Sequence, residues 1–397
     1  MVKLTALASI TLVVLTASEA FAFGKKDVTK CNALSPNAIP NDDVDDSAAI
    51  QTCLNNAGSE VAIYFPPGVY TFNSGITVGQ NNVTLYSDGV ATAQLRYVGC
   101  NGDLIRFDHG TQTSFRGKIR NLSLVGNDLC TQTAIHGRDT SWLSIEDVQI
   151  QDFTDPGSEN SVGVQNDGRE GFNIRNTLII ANNPIVMGKN PNYNTIDVDH
   201  VHIENVYSII PNGGTRWHVT LNDNVFVSNM MIDGANPFVG GCGILKWVVT
   251  NPNPAQGISS HLKISGVRTE QQAATCAEKK NIFISLPVNR NLQQLIIENN
   301  LLGGPSNGFP TGHTAIDLTN VDSITVSDTT YFNASNRSKL INATGAKYIR
   351  LENNYFYLTS QIVAAPLVWI EGPWGGKDCC NPPGTRSPDS GILAIRP

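Results

Sequence analysis

A six-residue pattern returns nine times along this chain and restricts its possible folds more than any other feature. It runs apolar, any, turn-former, any, any, apolar, with Asn, Asp, Gly or His as the turn-former. The sharpest copies are Ile119-Arg120-Asn121-Leu122-Ser123-Leu124, Ile145-Glu146-Asp147-Val148-Gln149-Ile150 and Ile174-Arg175-Asn176-Thr177-Leu178-Ile179. Further copies put the turn-former at His200, Asn229, Gly266, Asn299, Asp328 and Asn353. From 121 to 353 there are 232 residues over eight intervals, a mean of 29. Alternating apolar residues on both sides make two short strands with one buried face. The residue between them belongs to the types that tolerate positive φ, so a single left-handed residue turns one strand into the next. One such corner per coil predicts an all-β, right-handed parallel β-helix of about ten coils stacked ~4.8 Å apart. A β-sandwich is excluded because its turn signals come every ~8–12 residues. Leucine-rich repeats are excluded because their dense Leu ladder is absent.

A second apolar strand precedes each corner, as in Ala134-Ile135-His136 and Gly163-Val164-Gln165, so each coil has three strands and three turns. Composition fits: 41 Asn, 35 Gly and 20 Pro supply turns, and 41% apolar residues supply a core. A net charge of −7, with only 15% charged residues, argues against nucleic-acid binding. The chain starts as a secretion signal over residues 1–22: Lys3, an apolar run over 4–17, then Ala20-Phe21-Ala22. That run is shorter than a membrane span needs, so the expected product is extracellular, with no membrane partner once the signal is removed. Asp46-Ser47 followed by the apolar stripe Ala49, Ile50, Cys53 and Leu54 predicts a capped helix ending at Gly58. It would plug one end of the solenoid. The expected layout is an N-terminal segment and capping helix over 23–58, the β-helix over 59–375 and an irregular tail over 376–397.

Eight cysteines in an oxidising compartment imply disulfides. Cys100 to Cys130 is 30 residues and Cys242 to Cys276 is 34, each about one coil, which stacks the partners within bonding reach. Cys31 would staple the N-terminal segment to Cys53 on the helix. Cys379 and Cys380 are left as a vicinal pair or as two free thiols. No C-x-x-C occurs, so no metal site is expected.

Two segments resemble the N-terminal signature of the pectate-lyase-like superfamily, in its rhamnogalacturonase/epimerase-like branch. They are Asn41-Asp42-Asp43-Val44-Asp45-Asp46-Ser47-Ala48-Ala49-Ile50 and Tyr64-Phe65-Pro66-Pro67-Gly68-Val69-Tyr70. Asn41 and Asp43 stand where that signature has Gly, and Ser47 where it has Thr. The signature builds the cap and first coil and does not carry chemistry. The resemblance implies action on, or binding to, complex carbohydrate, since members include hydrolases, lyases, epimerases and phage tailspike depolymerases. The polygalacturonase residue set is not found: His313 is followed by Thr314, not Gly.

Aligning the upstream strands stacks Asp108, His136, Gln165 and Met187 in one column, with Asp317 and Asn342 further along. Two positions later come Gly110, Arg138, Asp167 and Lys189, and then Thr111, Asp139, Gly168 and Asn190. Glycoside hydrolysis needs an acid and a carboxylate ~5–5.5 Å apart for retention or ~6.5–9.5 Å apart for inversion, separations that neighbouring coils can supply. Asp108, Asp139, Asp167 and Glu170 are the candidate acids. His136 would share proton work or orient a carboxylate. Arg138, Gln165 and Arg169 would bind sugar hydroxyls or a uronate. The competing reading of Arg138, Asp167 and Lys189 is a charge ladder that steadies stacked turns. The expectation is a polysaccharide hydrolase that needs no cofactor. The alternatives are a lyase, where Ca²⁺ would neutralise a uronate, an epimerase, and a non-catalytic carbohydrate-binding or adhesin β-helix.

Overall fold

The computed structural model describes residues 24–33, 36–110, 116–138, 140–168, 170–189, 196–211, 215–234, 237–250, 258–270, 276, 280–303, 314–334, 339–358, 368–371 and 393–396. The chain is a right-handed parallel β-helix. Among the described residues, three long sheets of 12, 12 and 11 strands run along it. Each coil passes through sheet C, then A, then B, as in Gly102–Asp108, Gly117–Arg120 and Ser123–Val125. Strand pairing is parallel, one coil on the next; Gln132–Arg138, for example, pairs with Gly102–Asp108 on one side and Val162–Asp167 on the other.

The core follows from that register. In sheet A, Ile63, Leu85, Ile119, Ile145, Ile174, Ile203, Ile232, Ile264, Ile297 and Val326 pair one after another. All are buried in one continuous interior. Strands alternate faces with period two, so in-register stacking turns one apolar residue per coil into a ladder shielded from water.

The corner between sheets A and B is a single residue with positive φ: Asn121, Asp147, Asn176, Asn205, Gly234, Gly266, Asn299, Asp328 and Asn353. Two corners differ from the sequence reading, which places them at His200 and Asn229. Asn205 follows the strand Val201–Glu204, and Gly234 follows Asn229–Asp233. The confusion has a physical cause. A second left-handed position lies just before the sheet A strands and draws on similar residue types. It holds Glu60, Asn82, Trp142, Gly171 and His200, all with φ between 54° and 63°. His200 belongs to this second column. Corner residues also stack; the Asn205 side-chain amide donates to Asn176 Oδ1 at 2.7 Å.

The helix Ser47–Ala57 buries Ala49, Ile50, Cys53 and Leu54 in the common core. Disulfides join Cys31 to Cys53, Cys100 to Cys130 and Cys242 to Cys276, with Cα separations of 5.6, 5.6 and 5.4 Å. The ladder also takes in Gly24–Asp27, which pairs with Val61–Tyr64, and Leu393–Arg396 from the tail, which pairs with Val368–Glu371. The expected signal over 1–22, Cys379 and Cys380 lie outside the described residues. Among the described residues, no helix is long and apolar enough to cross a membrane.

The corner geometry generates a test. Asn176→Ala forces a residue with a Cβ and no turn-forming side chain into the left-handed region, costing ~1–2 kcal/mol, and removes the amide ladder bond, worth ~0.5–1.5 kcal/mol. Asn176→Gly loses only the bond and retains the backbone conformation. Denaturant titration of both variants should rank them wild type, then Gly, then Ala. Equal loss from Ala and Gly would remove the left-handed requirement from the account.

Candidate active site

On the outer face of sheet C, Arg106, His136, Gln165 and Val186 stand in register, with Asp108, Arg138 and Asp167 aligned two residues further on. The alignment made from sequence puts Asp108 and Met187 in the first column. For Asp108 the offset is two residues, which keeps the face. For Met187 it is one, which turns the side chain into the core. Asp317 and Asn342 do share the His136 column, but Asp317 is five strands beyond Gln165, ~24 Å away.

His136 is the hub. Its Nδ1 donates to Asp103 Oδ2 at 2.8 Å and its Nε2 donates to Asp167 Oδ2 at 3.0 Å. Both ring nitrogens donate only in the imidazolium form. Gln165 Nε2 donates to the same Asp167 oxygen at 2.6 Å. Parallel stacking explains the assembly: three consecutive strands supply Asp103, His136, and Gln165 with Asp167. The His136 side chain is 11% exposed, that of Asp167 0% and that of Asp103 20%. Burial pulls the imidazole down, but the hydrogen bonds and charges of Asp103 and Asp167 outweigh it and push its pKa up to about 9. Asp167 therefore acts from beneath, while Asp103 remains within reach of a ligand.

Cations surround the cluster. Arg138 and Arg106 lie 3.5 and 3.8 Å from Asp108 Oδ2. Lys189, exposed after the strand Asn183–Met187, has its Nζ 3.5 Å from the Asn160 carbonyl. The surrounding protein holds its pKa below the ordinary lysine value, and the charges of Asp167 and Asp103 work the other way. Thr215 Oγ1 donates to Glu159 Oε2 at 2.9 Å and Arg216 Nε donates to the Glu159 carbonyl at 3.2 Å, tying the turn beside Asn160 to a later coil.

Of the predicted site residues, His136, Gln165 and Asp167 are thus in direct contact, and Asp108 pairs with Arg138 next to them. Glu170 is exposed where the chain leaves sheet C; its backbone bridges to Asp199. Asp139 and Arg169 lie outside the described residues. Sequence reasoning misses Asp103. The signal that finds it is the 30-residue Cys100–Cys130 spacing, because that offset pairs Asp103 with Thr133 and Arg106 with His136. The arrangement can hold one carboxylate, Asp103, fixed and charge-paired at the sheet surface over a buried support.

The family described as rhamnogalacturonase A/epimerase, pectate lyase-like, matches residues 31–236, just over half of the chain. No curated protein matches the sequence. Among solved structures, a mutant tailspike protein of E. coli bacteriophage HK620, in complex with pentasaccharide, superposes with a TM-score of 0.60 at 12% identity. That match covers 87% of this chain and 64% of the tailspike. The Dettilon tailspike protein gives 0.53 at 11% identity, covering 85% of this chain and 69% of its own. PfbA, a surface adhesin of Streptococcus pneumoniae, gives 0.51 at 10% identity, covering 89% and 93%. At these identities the likeness is one of fold.

The buried ion cluster has a pH signature. A raised histidine pKa means that its stabilisation is complete below the unfolded value of 6.5 and is lost as pH climbs through about 9. Imidazole NMR should place the His136 titration near pH 9. Asp167→Asn should lower that pKa and destabilise the protein by about 3 kcal/mol, since it strips one partner from a buried ion pair. An imidazole that titrates at the same pH in Asp167→Asn would contradict the assignment.

Proposed function

The chain belongs to the rhamnogalacturonase A/epimerase, pectate lyase-like family, a carbohydrate-active β-helix family, and on that premise we propose that it is a secreted polysaccharide hydrolase. The observation that carries this reading is the Asp103–His136–Asp167 chain on the outer face of sheet C. Hydrolysis needs a carboxylate at the anomeric carbon and an acid that protonates the leaving oxygen. Asp103 takes the carboxylate part. His136, kept charged by Asp167, orients it and pairs its charge. The imidazolium does not itself meet the sugar, because both of its nitrogens are engaged. The acid falls among Asp108, at the end of the strand Gly102–Asp108, Glu170, three residues past the strand Val162–Asp167, and Asp139, which follows Arg138 in the sequence. Its carboxylic proton passes to the leaving oxygen, while the water that adds to the anomeric carbon gives a proton to the Asp103 carboxylate.

Arg106, Arg138 and Lys189 around the cluster suit a substrate that carries carboxylates. The three disulfides and the signal-like leader support an extracellular workplace. Uronate-containing and neutral polysaccharides are therefore assayed together, with and without chelator, by following reducing ends and the ultraviolet absorbance of unsaturated uronides. The hydrolase reading expects new reducing ends without absorbance. Asp103→Asn should lower kcat by about 10²–10⁴-fold, and the amide variant of the acid should match it. Wild-type activity should lose a component as pH rises through about 9, where His136 discharges, and His136→Gln should lack that step. Chelator-sensitive absorbance would replace this reading with a calcium-dependent lyase. Full turnover in Asp103→Asn would remove Asp103 from the reaction.

A further inference from the structure

Sheet A carries a second polar surface, separate from the cluster on sheet C. The backbone just before its strands is left-handed, and glycine or asparagine would satisfy that geometry with least strain. On one coil the position is instead Trp142, with φ 63°. On the next it is Gly171, and on the one after, His200. A bulky aromatic residue at positive φ is a genuine outlier. The backbone requirement does not explain the choice of tryptophan; the placement of its ring does. The indole lies directly on Gly171, where any Cβ would collide with the ring. It reaches across that coil towards His200, with ring centroids 5.8 Å apart. Trp142 is 42% exposed and the His200 side chain 57%. The pair forms an open aromatic shelf.

Two and four residues further along the same outward face is a cavity of about 180 Å³, lined by Ser144, Glu146, Asn173, Arg175, His202 and Glu204. These residues pair in register over the same three coils, Ser144 with Asn173 with His202 and Glu146 with Arg175 with Glu204. Rows on a strand face are ~6.7 Å apart and neighbouring strands ~4.8 Å apart, so the shelf and the nearer row of the cavity together span about one pyranose ring. His202 Nε2 is shielded from solvent and has no hydrogen-bond partner among the described residues. Arg175 and Lys118 both pair with Glu146. With Glu204, that makes two acids against two bases, a balance that suits an uncharged ligand.

We infer that this surface is a second carbohydrate-binding site, which stacks a neutral sugar ring on Trp142 and hydrogen-bonds its hydroxyls in the adjoining cavity. Sugar C–H groups pack on an aromatic face that is half open to water. Ser144, Asn173 and His202 offer a hydroxyl, an amide and an imidazole to neighbouring hydroxyls. The site requires no turnover and stands whether or not the sheet C cluster hydrolyses anything. It would hold the protein on a neutral glycan while sheet C faces elsewhere.

The probes are cellohexaose, xylohexaose, laminarihexaose and mannohexaose, titrated calorimetrically into the mature protein. At least one should bind. Trp142→Asn, which suits the left-handed backbone, should keep or raise the melting temperature while weakening binding by at least about tenfold. Arg175→Ala, which leaves the corners intact, should also weaken it. Asp103→Asn should bind as wild type does. Absence of binding by all four sugars, or wild-type affinity in Trp142→Asn, would overturn the inference. Loss of binding in Asp103→Asn alone would do the same, by moving the sugar to sheet C.

Discussion

In-register stacking of parallel strands is the constraint on which everything else here depends. Each coil must offer its backbone hydrogen bonds to the next at a spacing of ~4.8 Å. Once that register is set, side chains at equivalent positions have no choice of neighbour. Apolar positions become the Ile63-to-Val326 ladder, and corner residues become a stack of left-handed Asn, Asp and Gly. The corners keep the register, because a one-residue slip of a strand against the coil before it would turn that strand's side chains to the other face.

The same rule builds both polar surfaces. On sheet C, three consecutive strands bring Asp103, His136 and Asp167 into one chain of hydrogen bonds, although they are 31 to 33 residues apart in sequence. An outward histidine on a sheet is ordinarily solvated. This one is nearly buried, and its two carboxylate partners keep it charged. On sheet A the same stacking aligns Trp142, Gly171 and His200, but there the rings remain exposed. One face therefore presents a fixed carboxylate surrounded by cations, and another presents an aromatic shelf beside a polar cavity.

The solenoid is legible in the sequence because its corner is a local requirement. Asn121, Asp147 and Asn176 sit where only a few residue types tolerate the backbone, so the period shows in one dimension. The disulfides are legible for the same reason, since Cys100 and Cys130 are one coil apart. The choice between His200 and Asn205 is not, because both positions are left-handed and only the strand between them separates the two columns. Asp103 escapes an alignment anchored on the apolar residue before Asp108, which gives an offset of 28 residues to His136. The cysteine pair carries the correct offset of 30. The burial of Asp167 cannot be read from sequence at all, since it depends on what covers the outer face of sheet C.

On the proposed function, the register of three coils, and not any single residue, makes the outer face of sheet C the place where polysaccharide is turned over. The most direct measurement is a crystal structure of Asp103→Asn with an oligosaccharide cut from the best substrate. A sugar is expected across the strands Gly102–Asp108, Gln132–Arg138 and Val162–Asp167, with its scissile linkage at residue 103. A productive sugar seated elsewhere, with that face bare, would contradict it.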